Sequence, residues 1–76
     1  MTNQPTPGQS IRALRQLAGL TLDQVAESAK VSATHLSKVE TGKARPSSAW
    51  VAVVTKAISE GMQRRVDSDL AQRIPA

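Results

Sequence analysis

The sequence predicts an all-α fold, a compact bundle of four or five short helices, and three observations lead to it. Apolar residues recur at three- and four-residue spacing along most of the 76-residue chain. No stretch alternates apolar and polar residues as a half-buried strand does. The same helix-start grammar appears twice, at Thr21 and again eleven positions on at Ser32: an apolar residue, a hydroxyl residue, and an apolar residue four places after the hydroxyl. Leu20, Thr21 and Val25 form the first set and Val31, Ser32 and Leu36 the second. Two starts this close leave room for a helix of about two turns and a tight corner, the spacing of a helix-turn-helix.

Before these starts, residues 1–8 hold two prolines, a glycine and no apolar period, and read as a mobile arm. The arm has no basic residue, which argues against insertion into a minor groove. Ser10 is the cap expected for the first helix, whose buried face would be Ile11, Leu14, Leu17 and Ala18, with Arg12 and Arg15 on its flanks. Gly19 is the expected left-handed terminator.

The second helix turns Leu22, Val25, Ala26 and Ala29 inward. Asp23 suits the positive end of its dipole, Gln24 stands at the capping-box position after Thr21, and Ala26 is small where the next helix must cross closely. In the third helix Leu36 and Val39 face the core, leaving Ala33, Thr34, Ser37 and Lys38 opposite. Gly42 ends it, and Lys43, Ala44, Arg45 and Pro46 form a basic loop. Ser47 caps a fourth helix carrying Trp50, Val51, Val54, Ala57 and Ile58 inward. Gly61 is expected to end or weaken that helix. Met62, Val66, Leu70 and Ile74 then recur every fourth residue, as in one more amphipathic helix before Pro75. Three segments follow: an arm at 1–8, a main domain at 9–60 and an amphipathic segment at 61–76.

Composition narrows the function. Cysteine is absent and His35 is the single histidine, so thiolate chemistry and a tetrahedral metal site are not expected, nor is any cofactor. No nucleophile, base and orienting group recur at usable spacing, so the chain does not read as an enzyme. No apolar run approaches the roughly 20 residues that span a bilayer, and no export signal opens the chain, which predicts a cytoplasmic protein with no membrane partner. A net charge of +4 favours polyanionic partners without choosing one.

Residues 11–59 resemble the helix-turn-helix domains of the Cro and phage-repressor type, also called the xenobiotic-response-element family. The likeness rests on Leu14 and Arg15, Leu20 and Thr21, Val25 and Ala26, Val31 and Ser32, Leu36, Val39 and Glu40, Gly42 and Lys43, and Arg45 to Ser47, all in register. It implies a bundle of the phage-repressor DNA-binding type with the third helix in the major groove of double-stranded DNA. It also implies a homodimer on a palindromic operator whose half-sites lie about 34 Å apart, one DNA turn. Arg15 and Glu40 would form a structural ion pair. The sequence departs from the family at Lys30, where the corner commonly has glycine, at Leu22, where glutamine is common, and at Ser48, in a slot that is usually apolar.

Position on the third helix makes Ser32, Ala33, Thr34, Ser37 and Lys38 the candidate base readers, with Lys38 suited to guanine O6 and N7 and Ala33 to a thymine methyl. Ser32 is equally a helix cap. Thr21, Thr41, Lys43 and Arg45 are the candidate phosphate contacts that would fix the helix in its groove. Between 30 and 45, Lys30, Lys38, Lys43 and Arg45 stand against Glu40 alone. A lone helical His35 reads as surface or packing, and Trp50, without aromatic neighbours, as core or interface rather than a stacking platform.

Met62, Val66, Leu70 and Ile74 would either fold back on the domain or form a dimer contact. A bundle this small has little core to spare for them, so the stripe is assigned to dimerisation, with Arg64, Arg65 and Arg73 as its solvated edge. The resulting expectation is a bacterial or phage transcriptional regulator, a nucleoid-bound repressor that acts by occluding DNA because the chain has no room for an effector domain. A second reading makes it an antitoxin or other protein-interaction module that uses the last helix for a small protein partner and binds DNA for autoregulation.

Overall fold

The computed structural model describes residues 6–73, which form four helices and no strand. In order they are α1 (Pro7–Leu17), α2 (Leu22–Ala29), α3 (Ala33–Glu40) and α4 (Ser48–Arg73). α2 and α3, eight residues each, make the corner expected between 21 and 42. α1 packs on α3 and α4, and α4 closes the bundle against α2.

The two inner starts are built from the side chains that the sequence marks. Thr21 accepts from the Gln24 N–H while the Gln24 side chain accepts from the Thr21 N–H, a complete capping box. Ser32 accepts from the His35 N–H. Between them Lys30 sits in the left-handed region at φ 57°, the only described non-glycine residue with positive φ. Its N–H still bonds back to Glu27, and the Val31 N–H to Ala26, so the corner closes as it would with glycine.

The start of the chain corrects two expectations. α1 begins at Pro7, inside the segment assigned to an arm, and its cap is Thr6 in a capping box with Gln9. Ser10 lies within the helix. Proline at the first helical position needs no N–H there, which favours this earlier start.

The buried face of α1 also differs. Ile11 and Ala18 are buried, but Leu14 is 42% exposed and Leu17 79% exposed. At 3.6 residues per turn Leu14 and Leu17 lie about 60° and 120° around from Ile11. The face that meets the core is Gly8, Ile11, Arg15 and Ala18. Gly8 comes so close to α3 that a methyl group on it would overlap the Val39 carbonyl.

The core joins Ile11 and Ala18 to Val25, Ala26 and Ala29 of α2, Leu36 and Val39 of α3, and Val54, Ala57 and Ile58 of α4. Leu20, Leu22, Val31, Ala44, Trp50 and Val51 seal its edge. Ser47 caps α4 by accepting from the Trp50 N–H.

α4 does not end at Gly61. It runs unbroken for 26 residues, about 39 Å at 1.5 Å per residue, so no fifth helix and no boundary at 61 appear among the described residues. Gly61 is buried against Leu20, and a Cβ there would lie 2.7 Å from Leu20 Cδ1. Packing thus outweighs the roughly 1 kcal/mol that glycine costs inside a helix. From 62 to 72 every described side chain is exposed.

Candidate nucleic-acid interface

α3 owes its orientation to its inward side. Leu36, Val39 and Glu40 are buried, and Glu40 is the only buried charged side chain among the described residues. Arg15 meets it with two bonds, Nε to Oε2 and Nη2 to Oε1, each 2.9 Å. The paired carboxylate raises the guanidinium pKa above its ordinary value, outweighing the opposite effect of burial. Arg15 Nη1 also donates to the Leu20 carbonyl at 3.0 Å, so one guanidinium joins α1, the α1–α2 corner and α3.

With that side occupied, Thr34, Ser37, Lys38 and Thr41 fall together on the outward side of α3, all exposed. Ala33, expected beside them, packs in part on the core and presents only its edge. Ser32 is exposed but its hydroxyl is engaged as the cap. Thr41 donates its hydroxyl to the Ser37 carbonyl at 2.9 Å, which leaves its oxygen as an acceptor and weakens it as a phosphate donor.

The loop after α3 is shaped by its own backbone. Gly42 turns at φ 80°, and the Lys43 and Ala44 N–H groups both return to the Lys38 carbonyl, at 2.7 and 3.2 Å. Lys38 is thereby fixed at its backbone, and Lys43 and Arg45 are held exposed beside the end of α3. At the other side Thr21 is exposed at the start of α2. The only acid between 30 and 45 is locked against Arg15, so the outward face of α3 and its flanking loop carry cations without a competing carboxylate.

His35 is half-buried and meets Trp50 edge-on, ring centroids 5.2 Å apart and planes at 90°. The sequence assigns both to packing but has no local signal that joins them, because they stand on different helices. Arg65 is exposed, as expected of a solvated edge, and its Nη1 also donates to the Gly19 carbonyl at 2.7 Å, across 46 residues, a contact with no local signal in the sequence. Met62, Val66 and Leu70 are exposed on the second half of α4; Ile74, the last of that stripe, lies outside the described residues.

No helix among the described residues is long and apolar enough to cross a membrane. Comparison with curated proteins and with solved structures returned no match. Residues 8–59, more than half of the chain, match the family described as the helix-turn-helix domain. Two short capped helices around a left-handed corner, with a cationic outward face on the second, thus have the family to go with the geometry: the chain belongs to the helix-turn-helix domain family.

Proposed function

We propose that this protein is a sequence-specific transcriptional regulator of the Cro and phage-repressor type, working in the cytoplasm as a repressor on a palindromic operator. The observation that carries the reading is the sorting of charge on α3: Glu40 paired inward with Arg15, Lys38 outward beside Lys43 and Arg45. In this reading α3 enters the major groove. Lys38 reads guanine, Thr34 and Ser37 reach neighbouring base edges, and Ser32 and Ala33 bring the backbone close. Thr21, Lys43 and Arg45, with a lesser part for Thr41, hold the phosphates. The reading includes no catalytic step and no cofactor.

The homodimer is assigned to Met62, Val66 and Leu70, with Ile74 next in the sequence pattern. The exposed side chains of Met62, Val66 and Leu70 recur on one stripe of α4, and Leu14 and Leu17 add apolar surface on α1. The same exposure supports the second reading, in which a small protein partner occupies the stripe and DNA binding serves autoregulation. Selecting bound sequences from a random duplex pool at physiological salt tests the first reading. A two-fold symmetric site is expected, and failure to retain any duplex specifically refutes it.

A further inference from the structure

Two carbonyls at the α1–α2 corner are held by arginines from opposite ends of the chain. Arg15 Nη1 donates to Leu20 O at 3.0 Å, and Arg65 Nη1 donates to Gly19 O at 2.7 Å. Beside Arg65, Leu20 occupies the notch left by the missing side chain of Gly61. Arg65 and Gly61 are one helical turn apart on α4, and both lie beyond the segment that matches the helix-turn-helix family, which ends at residue 59. They also share a groove with Gln24, the side chain that completes the cap on Thr21.

We infer that Gly61 and Arg65 are positioning residues: the second half of α4 clasps Gly19 and Leu20 and thereby sets the first turn of α2, where Thr21 faces the DNA backbone. The inference rests on the DNA-binding reading above. Its physical basis is the corner at Gly19, which turns at φ 73°: the N–H groups of Gly19 and Leu20 return to the Gln16 and Arg15 carbonyls, but the Gly19 carbonyl and the Leu20 side chain are left to restraints from outside α1. A charge-assisted hydrogen bond to its carbonyl and an apolar contact at the next residue supply them. Arg65 acts here through the corner, not by touching phosphate.

The test uses the full chain with Arg65→Ala and Arg65→Lys. Amide hydrogen exchange is followed at 20–25 and, as an internal reference, at Leu36 and Val39. Affinity for the duplex that the selection returns is measured across a salt series. Arg65→Ala should speed exchange at 20–25 and weaken binding, each roughly two- to tenfold, the range of one net hydrogen bond. Exchange at Leu36 and Val39, and the slope of affinity against salt, should stay as in the parent. Arg65→Lys should restore part of both losses.

Unchanged exchange at 20–25 overturns the clasp, and so does equal acceleration at Leu36 and Val39, which would make Arg65 a general stabiliser. A salt slope lower by about 0.9 would make it a phosphate contact instead. If the parent protein retains no duplex, the DNA-binding reading falls and takes the functional role of the clasp with it. If the parent binds and Arg65→Ala binds equally well, only the clasp falls.

Discussion

Arg15 and Glu40 are joined by two parallel charge-assisted hydrogen bonds, each 2.9 Å, that fasten the inward side of α3 to α1. The Glu40 side chain is 3% exposed and that of Arg15 14%, so the carboxylate in particular has little water to fall back on. Breaking such a pair from one side leaves the other charge buried alone. Arg15→Ala should therefore cost about 3 kcal/mol in a denaturant titration. Glu40→Gln, which keeps an acceptor for the guanidinium, should cost less. A smaller loss for Arg15→Ala than for Glu40→Gln would contradict this account.

Lys38 and Lys43 are both exposed and only five positions apart, yet they stand on different elements: Lys38 on α3 and Lys43 in the loop that follows it. Lys38→Ala should relax the preference for one base pair, by about 1–3 kcal/mol of discrimination. Lys43→Ala should weaken all duplexes alike and lower the salt slope by about 0.9. Competition binding with single-base variants of the selected site separates the two. Equal effects from both substitutions would remove the distinction between reader and anchor.

Lys30 holds a left-handed backbone at φ 57° with an exposed side chain. Glycine adopts that conformation without the Cβ clash, so Lys30→Gly should stabilise the fold by about 0.5–1 kcal/mol. In a domain of this size that is a rise of about 4 °C in Tm. A fall in Tm would mean that the lysine contributes something its geometry does not display.

Val66 is 46% exposed in the middle of the α4 stripe and is not part of the core. Val66→Glu should leave the helical fold intact while converting a dimer to a monomer in sedimentation. It should also weaken binding to a two-site operator far more than to an isolated half-site. A dimer that survives the substitution would move the self-contact elsewhere, with Leu14 and Leu17 the next surface to alter.

What the sequence makes legible depends on how far apart the deciding residues lie. The starts at Thr21 and Ser32 are decided within four residues, by a hydroxyl and the N–H it caps, so they can be read without the fold. The face of α1 cannot. Its inward residues are Gly8, Ile11, Arg15 and Ala18, of which only two look apolar, while Leu14 and Leu17 offer a more hydrophobic stripe on the wrong side. Arg15 belongs inside only because Glu40 waits there, 25 positions away.

Gly61 misleads for the same reason. Locally it is a helix breaker; in the fold it is the one residue small enough to pass Leu20. On the outward side of α3, the exposed row of Thr34, Ser37 and Lys38 follows from the helical period once Leu36 and Val39 are placed inside. The partial burial of Ala33 and the engagement of Thr41 depend on the packing and on the carbonyls that end α3.

Trp50 is the sole aromatic residue among phenylalanine, tryptophan and tyrosine, and its ring rests against His35 on α3. The protein therefore carries a built-in fluorophore where the start of α4 touches the helix that would enter DNA. A movement of α3 that displaces His35 from the indole should change the Trp50 emission, so a DNA titration followed by intrinsic fluorescence can report on that helix in the unmodified chain, with no dye to perturb it.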